Sequence, residues 1–147
     1  MKDSLLSLLS NKTFQINFLV YSSLLTFLGR QLDRGITNFD GAYYAIKARE
    51  IFSSDSLWVV TWNGTAHFFD NPPLPFWLTG LVYKVLGVSG YAAVFSSAVF
   101  GVLIVYLTYS LCNYLYKDNW TSFLAAFVLI FPGLFMDSSR RAMLDIT

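Results

Sequence analysis

The chain is short of charge and of the residues that staple or ligate. Charged residues make up 13% of it, where ordinary soluble domains carry about a quarter. A net charge of +1 offers no bulk attraction for nucleic acid, so no nucleic-acid partner is expected. The one cysteine, Cys112, lies in an apolar stretch, can form no disulfide within the chain and reads as a small hydrophobe. His67 is the one histidine. With a neighbouring acid it supplies only part of a metal site, because closed zinc sites take four ligands. What the chain has instead is apolar surface: 55% hydrophobic and 18% aromatic residues, with a mean hydropathy of +0.51. That composition points to an all-α integral membrane protein.

Three uncharged runs, Thr13–Gly29, Tyr91–Tyr116 and Trp120–Met136, read as spans of about 13–32, 91–116 and 120–136. No small-x-small cleavage motif follows the first, so it reads as a retained signal anchor. The run Asn71–Tyr83, closed by Lys84, is too short to span and suits an interfacial helix. The spacing therefore predicts a long outer loop, 33–90, with juxtamembrane helices at about 40–52 and 73–86. With Met1 in the cytoplasm this loop lies outside and Lys117-Asp118-Asn119 is an inner turn. The tail from Asp137 to Thr147 then returns to the outer side, so Asp145 shares a face with the loop acids. If the short run spanned instead, Asp145 would fall on the opposite side. The positive-inside rule favours the reverse orientation, since only Lys2, Lys12 and Lys117 lie inside in this topology. Arg30, Arg34, Lys47, Arg49, Lys84, Arg140 and Arg141 lie outside, where they suit an anionic lipid substrate.

Within the loop, Thr37-Asn-Phe-Asp40 has the form of a capping box. The helix that follows places Tyr44, Ala45, Ala48, Ile51 and Phe52 on one face, with Tyr43, Lys47 and Glu50 elsewhere. The plain reading is that Asp40 stabilises the helix start through its charge and hydrogen bonding; the sharper one is a carboxylate held at the bilayer surface as a general base, and the two roles are compatible. Asp70-Asn71-Pro72-Pro73 sets an acid just before two residues of locked φ; the plain reading is an acidic turn before a proline-started helix. Trp77 and Trp120 are explained by an aromatic belt at the headgroups. Asn63-Gly-Thr65 matches an N-glycosylation acceptor, and Asn-Gly is equally a turn. Arg140 and Arg141 mark an interface, or bind phosphate through forked hydrogen bonds.

In order along the chain these elements resemble the N-terminal part of a GT-C glycosyltransferase. The group is the one containing protein O-mannosyltransferases and lipid A aminoarabinose transferases. The acid-led Asp-x-x-x-Tyr-x-x-x-x-Arg-Glu pattern is Asp40, Tyr44, Arg49 and Glu50. The Phe-Glu-Lys-Pro-Pro-Leu-x-x-Trp-like element is Phe69 to Leu74 with Trp77, the turn after it is Leu86-Gly87, and the Arg-x-x-x-x-Asp ending is Arg140 or Arg141 with Asp145. The chain departs at Gly41, where a second acid is usual, and at Asn71, where the element carries lysine. It also stops at Thr147, whereas such enzymes carry many more spans, so a fragment, inactive alone, is expected.

The resemblance implies inverting sugar transfer from a polyprenyl-phosphate donor to a hydroxyl on a protein or lipid at the outer membrane face. It implies Asp40 and Asp145 as catalytic residues, and Tyr44, Arg49, Glu50, Asn71, Arg140 and Arg141 as substrate-binding ones. Asp70 is the candidate ligand for a divalent metal, with partners beyond Thr147. Two other classes stay open: a transporter subunit with Gln15 and Asn17 on its pathway, and a non-catalytic membrane adaptor.

Overall fold

The computed structural model describes residues 10–29, 36, 39–53, 57–66 and 71–142. Among them run, in order, α1 (Lys12–Leu28), α2 (Phe39–Glu50), the strands β1 (Thr61–Trp62) and β2 (Thr65–Ala66), then α3 (Leu74–Leu86), α4 (Gly90–Tyr116), α5 (Asn119–Leu129) and α6 (Gly133–Ser139).

The helix ends follow local chemistry. Asn11 Oδ1 accepts from the backbone N–H of Thr13 and Phe14 and caps α1. Ser89 does the same for α4 through the Ala92 N–H. Pro72 and Pro73 precede α3, and Gly87, at φ 79°, ends it in a conformation that favours glycine. Lys117 stops α4 in the left-handed region at φ 53°, and Asp118 at once caps α5 by accepting from Trp120 and Thr121 N–H groups. The turn between the two helices is therefore tight.

α1, α4, α5 and α6 form a bundle. The inward stripe of α1 is Gln15, Leu19, Ser23 and Phe27, one residue every four positions. These meet Ala98, Val105 and Tyr109 of α4, Ala126 of α5 and Ile130 beyond it. Small residues on α4 let the helices approach closely. A Cβ on Gly101 would lie 2.6 Å from Ser139 Oγ and 3.0 Å from the Phe27 ring. Gln15 and Tyr109 are both buried, and the phenol donates to Gln15 Oε1 at 3.1 Å. A residue suggested for a transport pathway is thus part of the bundle's interior.

A second layer sits over one end of that bundle. Here α2 and α3 pack together and onto the first turn of α4, through Ala45, Ala48, Ile51, Phe76, Tyr83 and Ala92–Val94. Ala142, after α6, is buried in the same cluster, so the end of the described chain joins this second, outer layer to the bundle. Gly80 permits the α2–α3 contact, because a Cβ there would come within 2.9 Å of the Ala48 carbonyl. Trp77 is more than a belt residue, for its Nε1 donates to the Leu57 carbonyl at 2.7 Å and its ring meets Trp58 edge-on.

α4 is long and apolar enough to cross a membrane; its 27 residues extend about 40 Å against a hydrocarbon core of about 30 Å. At 17 residues, α1 sits at the short limit for a span. The third run expected to span, 120–136, is not one straight helix. It is α5 and α6 bent by 72° across a short break. Pro132 lacks an N–H and disfavours helical backbone at Phe131. The last turn of α5 tightens, with Ile130 and Phe131 N–H groups bonding three residues back.

Candidate functional site

Asp40 is exposed in the first turn of α2. Tyr44 lies one turn further on, half-buried, its ring 5.6 Å from Tyr43 and 6.2 Å from Phe76 of α3. The buried face of α2 is Ala45, Ala48 and Ile51, as the periodicity predicts. Lys47 breaks the pattern: it is 0% exposed. Its ammonium lies 4.0 Å above the Tyr43 ring and 5.8 Å from that of Phe76, and it donates to Asn71 Oδ1 at 3.2 Å. Burying a lysine is tolerated only when its charge is compensated, and the rings and the amide oxygen contribute to that. Asn71, expected to bind substrate, is half-buried and tied in this way to α2.

Glu50 holds a turn. Its carboxylate accepts from Thr61 Oγ1 at 3.0 Å and from the N–H groups of Asn63 at 3.1 Å and Gly64 at 3.3 Å. Asn63 and Gly64, at φ 50° and 74°, form the two-residue loop of the β1–β2 hairpin, in which Trp62 pairs with Thr65. Asn63-Gly64 is therefore a hairpin turn. Trp62 meets Tyr43 edge-on at 5.4 Å, so the hairpin leans on the same helix as Asp40. Arg49 is exposed. Burial pushes the Tyr83 phenol up to about 12, against which the nearby Arg49 guanidinium pulls it down.

The two arginines are engaged near the same end of the bundle. Arg140 Nε donates to the Thr26 carbonyl at 2.7 Å, in the last turn of α1, where carbonyls lack intrahelical partners and the helix dipole is negative. Arg141 forms a two-pronged pair with Asp137, Nε to Oδ1 at 3.0 Å and a terminal nitrogen to Oδ2 at 2.8 Å. That pair is exposed and therefore weakly held. Asp70, Asp145 and His67 lie outside the described residues. Among the described residues no three His, Cys, Asp or Glu groups cluster as a metal site needs.

The structure thus joins Tyr44, Asn71 and Glu50 to one helix, and it anchors Arg140 separately to α1. Sequence reasoning missed Lys47. A local signal existed, since aromatic residues three and four positions earlier offer rings to a helical lysine. Its link to Asn71, 24 residues away, had none.

The family described as dolichyl-phosphate-mannose-protein mannosyltransferase matches residues 18–147. The chain is 29% identical over 119 residues to the polyprenol-phosphate-mannose–protein mannosyltransferase of Mycolicibacterium smegmatis, covering 81% of this chain and 22% of that protein. It is 27% identical over 105 residues to an uncharacterized protein of Aquifex aeolicus, covering 71% of this chain and 21% of the other. The chain therefore spans about a fifth of the length of these curated relatives. No solved structure matches.

Proposed function

Because this chain belongs to the dolichyl-phosphate-mannose-protein mannosyltransferase family, we propose that it takes part in moving mannose from a polyprenyl-phosphate donor to a hydroxyl of a protein acceptor. Asp40 accepts the proton of that hydroxyl, whose oxygen attacks the anomeric carbon from the face opposite the phosphate. The bond from that carbon to the phosphate oxygen breaks, the configuration inverts, and polyprenyl phosphate leaves with the electron pair. A lipid phosphate is stable as an anion, so no strong general acid is required. Its growing charge is met by hydrogen-bond donors and cations on the same side: Asn71, with Arg140 or Arg141. Tyr44, Arg49 and Glu50 shape the acceptor side, Glu50 through the hairpin it grips. Asp145 positions the acceptor, and Asp70 is kept for a divalent cation together with ligands from elsewhere.

The observation that carries this reading is the exposed Asp40 carboxylate two helical turns, about 10 Å, before the Lys47–Asn71 link. That span suits an in-line array of base, acceptor oxygen, anomeric carbon and phosphate, with acceptor and phosphate on opposite faces of the one carbon. In this proposal the layer of α2 and α3 faces the outside of a multi-pass membrane protein. The test is a transfer assay on the intact enzyme that carries this segment, in lipid nanodiscs, with polyprenyl-phosphate mannose and a serine- or threonine-bearing peptide. A mannosyl peptide of anomeric configuration opposite to the donor's is expected. Retention of configuration, or no transfer from this donor, contradicts the proposal.

A further inference from the structure

The buried Lys47 has no part in the mechanism above, and its geometry gives it one. We infer that Lys47 is a positioning residue that fixes the Asn71 amide so that its N–H donors face the phosphate of the lipid-linked sugar. The inference rests on the proposed donor chemistry and assigns a role to a residue that the motif comparison passes over.

An ammonium has donors and no acceptor, so the atom of Asn71 that faces Lys47 at 3.2 Å must be the carbonyl oxygen. The amide group at the other end of the side chain, with two N–H donors, is therefore turned away from Lys47. A cation on the carbonyl oxygen polarises the amide and strengthens those donors. Two such donors with a positive charge behind them suit an anionic oxygen and repel a cation. The Tyr43 and Phe76 rings hold the ammonium on α2, and Pro72 restricts the backbone of Asn71, so neither partner of the link can drift. Asn71 is half-buried while Lys47 is fully covered. The amide can thus touch a ligand that the ammonium cannot reach.

Asn71→Asp separates this role from a structural one. The carboxylate is nearly isosteric, keeps an acceptor for Lys47 and turns a hydrogen bond into an ion pair, but it removes both N–H donors and adds a negative charge. Binding of polyprenyl-phosphate mannose to the intact enzyme in nanodiscs, thermal unfolding, KM and kcat would be measured for wild type, Asn71→Asp, Lys47→Met and Lys47→Arg. Asn71→Asp should unfold no earlier than wild type, bind the donor at least about tenfold more weakly and show the loss in KM before kcat. Lys47→Met, which frees the amide to flip, should weaken donor binding by about three- to tenfold, and Lys47→Arg should restore most of it. Wild-type donor affinity in Asn71→Asp, or failure of that variant to fold, overturns the inference. A wild-type chain that binds no polyprenyl-phosphate mannose overturns the proposed function as well, and is told apart because every variant then behaves alike.

Discussion

The bundle and the layer over its end are held by different means. In the bundle most contacts are matters of shape: Gly101 admits Ser139 and Phe27, and aromatic rings of α1 and α5 interleave, while polar links such as Gln15 with Tyr109 and Arg140 with the Thr26 carbonyl are fewer. In the outer layer, long polar side chains reach across sequence to fix loops. Lys47 holds Asn71, Glu50 holds the hairpin, Trp77 holds Leu57, and Thr79 meets Ser96 of α4 at 2.7 Å. Close packing resists any added volume, whereas a clamp can be released singly.

Three substitutions probe that division. Gly101→Leu should do the most damage, because its first added atom already lies 2.6 Å from Ser139 Oγ. Forcing α4 away from α1 and α6 should cost about 3 kcal/mol or more, read as an earlier melting transition in detergent; an unchanged transition would deny that the bundle is packed by shape. Tyr83 reports on the outer layer through pH. Its folded pKa of about 12 lies above the ordinary 10, so its contribution is intact below pH 10 and is lost as pH rises from 10 towards 12. Stability should fall there by up to about 1.4 kcal/mol per pH unit from this residue, and Tyr83→Phe should flatten that limb. Glu50→Ala should be the mildest for the fold as a whole. The hairpin at 61–66 should become a preferred protease site while the bundle melts as before; simultaneous loss of both would merge the two regions into one cooperative unit.

Much of this architecture is legible in the sequence where it is local. Asn63-Gly64 reads as a turn and Pro72-Pro73 as the start of a helix, and both are found; the caps at Asn11, Ser89 and Asp118 come from the structure, though these residue types favour such positions. The apolar spacing of Ala45, Ala48 and Ile51 picks out the face of α2 that is buried. The bend at Pro132 is also written locally, yet hydropathy alone runs straight through it. What escapes the sequence is long-range and polar. Periodicity assigns Lys47 to the unburied side because a lysine scores as polar, and the approach of Asn71 and of Phe76 from the next helix, beside the Tyr43 ring, helps to make its burial tolerable. Glu50 likewise fits a substrate-binding motif, and its grip on the hairpin appears only once the chain has folded back.

The measurement that bears most directly on the account is Asp40→Asn in the intact enzyme that carries this segment, followed at once by mannosyl transfer, donor binding and thermal unfolding. Asp40 is exposed and the change is isosteric, so unfolding and donor binding should match wild type while transfer falls by about a hundredfold or more. Transfer within a few-fold of wild type would contradict the claim that the outer layer carries the chemistry at the start of α2.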